Sequence, residues 1–245
     1  RKWSFNMDIT LPKLRNLLNG QNIRNESISN NLANLDNAGF KRDVVFFELV
    51  DEDGDRALEM QTRQYTDFSQ GMLSKTENPL DLALAGRGFF TVETENGEML
   101  TRDGQFKLDE DGVLRTSAGH PVIGEQGWII LTDEGLTPAE VSVTRAGEIF
   151  VDGDLRATLR IQDVEDLQAL NKLGDNLMQV EDANALFEVE EVDVQQGFLE
   201  DANVNPINEM MGLIEVQRQF ESTQKMIQTL DDIFRQAASS VGRVS

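Results

Sequence analysis

The chain contains no cysteine and only one histidine, His120, among its 245 residues. The absence of cysteine excludes disulfides, thiolate metal sites and thiol catalysis. One histidine cannot build a multi-histidine metal site, and a nucleophilic pair with Ser117 would have to form within a single short glycine-containing loop. We therefore expect His120 to have a structural role.

Long apolar runs and positive charge are also scarce. No run of 18 apolar residues occurs, so we expect no membrane-spanning segment. The stretch from Leu11 to Leu18 is interrupted by proline and basic residues, so it lacks the apolar core of a secretory signal peptide. The 44 Asp and Glu residues outnumber the 22 Lys and Arg residues, which gives a net charge of −22. Because such a surface repels phosphate backbones and anionic lipids, we expect neither nucleic acid nor a membrane surface as a partner.

Three patterns suggest chemistry but lack the residues that would complete it. The acidic turn Asp51–Asp55 resembles a calcium loop, yet the twelfth position, which should be acidic, is Thr62. The Gly-x-Gly at residues 86–88 has no third glycine, because position 91 is Thr91, and it does not open a predicted helix. No pair of carboxylates stands out as the convergent pair that a glycosidase needs. We predict no enzyme activity, no cofactor and no metal site.

Apolar residues recur at alternating steps of three and four at both ends of the chain. Such spacing places one apolar stripe on one face of a helix, as in the seam of a coiled coil. We predict a helix from about Asp8 to Leu35 and a second helix, about 50 Å long, after Pro206. The two helices could pair within one monomer, and several incompletely covered positions favour association with neighbouring copies. The N-terminal stripe comprises Met7, Leu11, Leu14, Leu18, Ile28, Leu32 and Leu35, with Gln21 and Asn25 as polar positions that set register; the C-terminal stripe comprises Leu213, Val216, Phe220, Thr223, Ile227, Leu230, Phe234, Ala237 and Val241.

The segment between these helices is predicted to be all-β. Asn96-Gly97 is the strongest hairpin signal, and Asp-Gly pairs mark further turns. Short strands separated by glycine turns predict a barrel-like or sandwich-like domain, preceded by a short extended piece at Asp43–Phe47. The predicted class is α+β, with the two terminal helices paired as a coiled-coil-like layer. The predicted segments are an N-terminal axial helix and motif at 1–42, an extended linker at 43–77, the β-rich middle domain at 78–196 and a C-terminal axial helix at 197–245.

Ordered motifs along the chain resemble those of a known family. Asn30–Lys41 (NNLANLDNAGFK) resembles the asparagine-rich signature of the flagellar axial proteins of rod, hook and hook-associated type. Asn78–Phe90 resembles the second signature of the rod and hook subgroup, and Thr101–Phe106 and Gly119–Val122 continue it. Gly197–Pro206 resembles the lead-in to the C-terminal helix of that subgroup. The chain is thus identified as a member of the flagellar basal-body rod proteins.

Two features distinguish between the rod types within this family. The loop after Val50 is short, and Gly119–Glu125 is similar to the proximal rod type more than to the distal one. A distal rod or hook-like protein is the alternative within the family. Alternatives from other classes are a peptidoglycan-processing enzyme of the basal body and a free-standing binding module.

The resemblance implies a structural subunit exported through the flagellar type III apparatus without a cleaved signal peptide. It implies polymerisation in the periplasm, as a homo-oligomer in a helical tube that contacts other rod and hook proteins and transmits torque, with the paired helices inside and the β-domain outside. We expect the helices to be loosely ordered in the free monomer and fixed on assembly.

In the motif, the asparagines are expected to bond backbone groups where the helix ends. Asn37 and Gly39 are expected to stop the helix in a left-handed conformation, and Phe40 is expected to supply an apolar anchor. The predicted assembly residues are Leu11, Leu14, Leu18, Leu32, Leu213, Phe220, Ile227 and Phe234, and the predicted motif residues are Asn30, Asn31, Asn34, Gly39 and Phe40.

Overall fold

The structure, a computed structural model, describes residues 7–51, 58–132, 140–189 and 191–241. Contacts within these ranges divide the chain into two units. The first unit consists of the described parts of Arg1–Ala33, Asp43–Thr66 and Asn205–Ser245, and the second of Asn34–Arg42 and the described parts of Asp67–Val204. The α+β class with a mostly β middle is confirmed, whereas the four-segment division of the chain stays a prediction.

The first unit contains two helices and a hairpin. Helix α1 spans Met7–Ala33, strand β1 spans Asp43–Asp51, strand β2 spans Leu58–Thr66, and helix α2 spans Pro206–Val241. Helix α2 begins where the Asn205 side chain accepts hydrogen bonds from the backbone N–H groups of Ile207 (3.1 Å) and Asn208 (3.2 Å). Pro206 occupies the first helical position. A backbone N–H at that position would make no hydrogen bond within the helix, so its absence in proline costs nothing there.

Helices α1 and α2 pack antiparallel to each other. Three side-chain contacts show this: Asn31 with Glu209 at 3.4 Å, Arg24 with Glu215 at 3.8 Å and Gln21 with Thr223 at 3.3 Å. The residue numbers in α1 decrease along this series while those in α2 increase. The fully buried side chains on the facing sides recur at steps of seven, which is every second position of the three-and-four spacing. They are Leu14, Gln21 and Ile28 in α1 and Val216 and Thr223 in α2.

Strands β1 and β2 form a nine-residue antiparallel hairpin whose register runs from Asp43 opposite Thr66 to Asp51 opposite Leu58. One face of it packs on α1 at Gly20, where an added Cβ would lie 2.5 Å from both Phe47 and Thr62. The sequence analysis predicted only the start of β1 and missed β2. The sequence of β2 is largely polar, and within the described ranges it pairs with β1 alone. It therefore carries little of the apolar alternation that identifies a strand.

The second unit is built on a six-stranded antiparallel sheet with strand order β15-β16-β6-β5-β14-β17. Around it lie a three-stranded sheet, β11-β12-β13, and the antiparallel pairs β3-β19, β4-β18, β7-β8 and β9-β10. Two 3₁₀ turns lie at Leu167–Ala169 and Ala183–Ala185. In chain order the strands are β3 (Leu73–Lys75), β4 (Leu82–Leu84), β5 (Phe89–Thr94), β6 (Gly97–Thr101), β7 (Phe106–Leu108), β8 (Leu114–Thr116), β9 (Ile123–Gly124), β10 (Gly127–Trp128), β11 (Val141–Val143), β12 (Glu148–Val151), β13 (Asp154–Thr158), β14 (Ile161–Val164), β15 (Leu170–Lys172), β16 (Leu177–Val180), β17 (Leu186–Glu188), β18 (Val194–Gln196) and β19 (Phe198–Glu200).

The core of the second unit has two parts because successive strand residues point to opposite faces of a sheet. Phe90 belongs to the larger cluster, together with Leu82, Phe106 and Ile149, and its neighbour Phe89 belongs to a smaller cluster with Leu100 and Met178. The predicted hairpin is present as β5–β6, but its two turn residues are Glu95 and Asn96. Gly97, at a φ of +104°, is the first residue of β6 and pairs with Thr94.

Candidate assembly site

The asparagine-rich signature ends in the second unit, where a glycine makes close backbone contact. Gly39 has a φ of +70°, and its N–H donates to the carbonyl of Glu200 at 2.6 Å. A Cβ at this position would lie 2.3 Å from the carbonyl carbon of Arg102. Only glycine satisfies both the left-handed backbone and this approach. Asn37, which we also expected to be left-handed, is absent from the positive-φ residues, and its side chain donates to Asn34 Oδ1 at 2.7 Å instead.

The residue after this glycine is an apolar anchor. Phe40 is buried, and its carbonyl accepts from the N–H of Asn203 at 3.3 Å. The ammonium of Lys172 lies 4.3 Å from the centre of the Phe40 ring and donates to the carbonyl of Lys41 at 2.6 Å. The signature is therefore held to the β-rich unit by a cation–π contact and by backbone hydrogen bonds.

Beyond Phe40 lies a buried network of charges. The side chains of Lys41 and Glu200 are each 1% exposed and form an ion pair through Glu200 Oε1. Lys41 also donates to the carbonyl of Ser69 at 2.8 Å, and Gly71 N–H donates to Glu200 Oε1 at 2.9 Å. Burial lowers the pKa of Lys41, and the Glu200 carboxylate opposes that shift. An ion pair this deeply buried is held by the hydrogen bonds around it, since desolvation of the two charges is costly.

Arg102 extends the network to the second family motif. Its Nη1 lies 3.3 Å from Glu200 Oε2, and its Nη2 donates to the carbonyl of Gly86 at 2.7 Å. The guanidinium stacks 5.0 Å from the centre of the Phe89 ring. Thus charged residues from the asparagine-rich motif, the second motif and the lead-in to α2 converge on Glu200.

All of these motifs are recognisable in the sequence, but the charge network that joins them is not. Lys41 and Glu200 are 159 positions apart, and Arg102 and Glu200 are 98 apart. The only hint in the sequence is that each motif contains a charged residue. Most charged side chains are exposed to solvent, and the spacing of residues does not reveal which partner a buried one has.

Asn31 is the motif residue that organises the first unit. Its side chain is buried, donates to the Asp43 carbonyl and accepts from the Asp43 N–H, both at 2.9 Å. The same Nδ2 lies 3.4 Å from Glu209 Oε2, and Ser27 adds a bond to the Asp43 carbonyl at 3.0 Å. One amide thus joins α1 to the start of β1 and to α2.

Replacing Asn31 with alanine is expected to destabilise the first unit by about 1–3 kcal/mol, because the buried N–H of Asp43 would lose its acceptor. The measurement is urea unfolding of the full chain followed by circular dichroism at 222 nm, which reports the two helices. Ser29→Ala, an exposed position on the same helix, is the control and should shift the free energy of unfolding by less than about 0.5 kcal/mol. Equal effects of the two changes would contradict this role of Asn31.

The predicted assembly residues lie along the helix pair. Leu14 is buried, and partial burial is shared by Leu18, Leu32, Leu213, Phe220 and Ile227. The side chains of Leu11 and Phe234 lie outside the described residues. Of the remaining motif asparagines, Asn30 is exposed and Asn34 is partly buried.

The described residues hold no group of three or more potential metal-ligating side chains. In the same part of the chain, neither helix is apolar enough to cross a membrane. The motif residues instead form buried packing contacts and buried ion pairs.

The ordered motifs, together with two long helices and a β-rich middle, are typical of a structural protein of the flagellar axial class. Residues 83–151 match the family model for the flagellar hook protein FlgE/F/G D1 domain, and residues 195–240 match that for the flagellar basal body rod FlgEFG protein C-terminal region. The chain is 34% identical over 227 residues to the flagellar basal-body rod protein FlgF of Caulobacter vibrioides, covering 89% of this chain and 91% of the relative. It is 31% identical to FlgF of Mesorhizobium japonicum (89% and 88% covered) and 30% identical to the rod protein FlgG of Buchnera aphidicola subsp. Schizaphis graminum (89% and 94% covered). The chain belongs to the family of flagellar basal-body rod proteins.

Proposed function

We propose that this protein is a structural subunit of the bacterial flagellar basal-body rod and not an enzyme. The observation that carries this conclusion is the 34% identity to a named rod protein across nine-tenths of both chains. The geometry supports it, because the family motifs meet at buried anchors such as Gly39, Phe40 and the Lys41–Glu200 pair and not in an open catalytic cleft.

We further propose that α1 and α2 form a coiled-coil-like layer that assembles with other copies into a helical tube and with other rod and hook proteins. Several residues of the seam remain only partly buried after the two helices pack, including Leu18, Leu213 and Phe220. Complete burial of one such side chain contributes roughly 1.5–3 kcal/mol, so contacts with neighbouring subunits would gain what the isolated pair leaves exposed. The proposed interface consists of Leu11, Leu14, Leu18, Leu32, Leu213, Phe220, Ile227 and Phe234.

The place proposed for the subunit is the proximal rod within the periplasm, where many weak contacts together would transmit torque. The similarity to FlgF supports the proximal position, and the similarity to FlgG keeps the distal rod as the alternative. The β-rich unit, which we propose to be barrel-like or sandwich-like, would supply the surface that distinguishes one rod type from another.

The test is to locate the protein in flagellar basal bodies purified from its own organism. We expect the epitope-tagged chain to co-purify with basal bodies and to label the rod in immunoelectron microscopy. Removing α2 should abolish incorporation, because the proposed interface would lose half of its seam. Basal bodies that lack the full-length chain, in cells that express it normally, would overturn the proposal.

A further inference from the structure

An open groove in the second unit brings acidic side chains together with an exposed indole ring. It has a volume of about 630 Å³, within the range of roughly 300–1,000 Å³ for sites that bind small molecules. Its lining includes residues 93–96, 119–121 and 173–175 together with Trp128. The Lys41–Glu200 network contributes no residue to this lining.

Trp128 gives the groove an aromatic face that solvent reaches. It is 52% exposed, whereas tryptophan is highly buried on average. Its Nε1–H donates to the Glu93 carboxylate, which holds the ring in place and puts a negative charge at its edge. The negative face of an indole attracts a cation, and the nearby carboxylate adds to this attraction. Trp128 is therefore arranged to receive a positively charged group.

Two exposed carboxylates of the groove, Glu95 and Asp175, belong to closed turns. Glu95 follows Thr94, whose hydroxyl donates to the Gly97 carbonyl at 2.9 Å and so closes the tip of the β5–β6 hairpin. Asp175 has a φ of +58° and lies in a turn closed by a 3.1 Å hydrogen bond from Leu177 N–H. Because the backbone at both positions is fixed, little further freedom is lost when these carboxylates bind a cation.

The groove carries an excess of negative charge. Its lining contains the carboxylates of Glu93, Glu95 and Asp175 but only one arginine, Arg115. Arg115 is already paired with Asp109. Within the described ranges, Glu95 and Asp175 form no ion pair. Since a concave surface that bears charge of one sign concentrates the electric field, the groove favours a cationic ligand.

We propose that this groove binds an arginine-bearing segment of another protein. The guanidinium would stack on Trp128 and donate to the Glu95 and Asp175 carboxylates. Arginine fits better than lysine, because its planar group stacks on an aromatic face and also presents five N–H donors. Tryptophan and arginine are, in addition, among the residues that contribute most to the affinity of protein interfaces.

The size and charge of the groove decide the kind of occupant. A single guanidinium would fill only part of its volume, and Leu173, which also lines it, is 44% exposed, so the neighbours of the arginine would find apolar surface. The segment comes from another protein and not from a second copy, since this chain has 44 acidic residues against 22 basic ones and like charges repel. The inference goes beyond the proposed rod function and involves the second unit alone.

The first test uses a short capped peptide with a central arginine and the full-length chain carrying Trp3→Phe, which leaves Trp128 as the only tryptophan. We expect a saturable change in Trp128 emission with a Kd on the order of 1 mM or tighter. The same peptide with citrulline, which is neutral and has nearly the same shape as arginine, should bind at least about 10-fold more weakly.

The second test locates the site with variants, and it follows the anisotropy of a dye-labelled arginine peptide so that Trp128 can be changed. Trp128→Leu removes the aromatic face and keeps an apolar side chain, and Glu95→Gln with Asp175→Asn removes two charges. Each should weaken binding about 10-fold. The matched control is Glu110→Gln with Asp154→Asn, which removes two exposed carboxylates of the same unit outside the groove and should change the Kd by less than about 2-fold.

The inference is overturned if the citrulline peptide binds as well as the arginine peptide, or if Trp128 emission responds to neither. It is also overturned if the control pair of changes weakens binding as much as the groove pair, because the attraction would then come from the net charge alone. None of these outcomes bears on the rod function, which is decided by the presence or absence of the chain in basal bodies.

Discussion

Replacing Glu200 with alanine is expected to lower the free energy of unfolding of the second unit by about 3–5 kcal/mol, because it removes the carboxylate with which the buried cations Lys41 and Arg102 form ion pairs. Glu200 is 1% exposed and accepts from Lys41, from Gly71 N–H and from Arg102. Urea unfolding followed by intrinsic tryptophan fluorescence would measure the change, with Trp128 as a reporter in this unit.

The matched control for Glu200 is an exposed ion pair of the same unit. Lys75 lies 3.0 Å from Glu77, and both side chains are more than half exposed. Lys75→Ala should cost no more than about 1 kcal/mol, since solvent screens such pairs. A loss of similar size for Glu200→Ala would show that the buried network contributes little to stability. Because Arg102 and Lys41 belong to the family motifs, the same variant should also fail to enter basal bodies.

Replacing Gly39 with alanine is expected to destabilise the second unit by about 3 kcal/mol or more. The left-handed conformation costs an L-residue roughly 1–2 kcal/mol, and the new Cβ would lie 2.3 to 2.6 Å from backbone atoms of Arg102 and Asp103. Backbone cannot move aside as a flexible side chain can, so the hydrogen bond from Gly39 N–H to Glu200 must lengthen. The measurement is the unfolding midpoint in urea at constant slope.

Gly119 separates the two contributions at Gly39. Its φ is +96°, which is also a positive value that L side chains rarely adopt, but an added Cβ meets no atom within 4 Å. Gly119→Ala should therefore cost only the conformational term of about 1–2 kcal/mol. If the two glycine variants proved equally stable, the close approach between Gly39 and Arg102 would not exist in solution.

Local periodicity was sufficient to predict the helices. The three-and-four spacing from Leu14 to Ile28 and from Val216 to Thr223 is a property of neighbouring residues, and the buried sides of α1 and α2 follow it. Asn96-Gly97 predicted the presence of its hairpin for the same reason, since the signal for a turn lies within a few residues, although the two turn residues are Glu95 and Asn96. Motif order also sufficed to identify the flagellar family.

Pairing across long distances was not predictable in this way. Strand β2 is polar and is defined by its register with β1, and Lys41, Arg102 and Glu200 are brought together by folding of three remote segments. Whether a charged side chain is solvated or buried depends on partners that sequence spacing does not reveal. Likewise, the spacing predicted Gln21 as a polar seam residue, but not that its Oε1 lacks a donor among the residues that the structure describes. That follows from the Thr223 hydroxyl, which accepts from Gln21 Nε2 and donates to the Gln219 carbonyl.

Periodic burial and turn chemistry are local, so the amino-acid order alone determined the two long helices, the β-rich middle and the membership of the flagellar rod family. The tertiary structure alone decided that a lysine, an arginine and a glutamate share one buried site. It alone decided, too, that the buried Oε1 of the seam glutamine has no donor within the part of the chain that the structure describes. The physical reason is that desolvation and hydrogen-bond satisfaction are properties of the packed neighbourhood, which no single stretch of sequence contains.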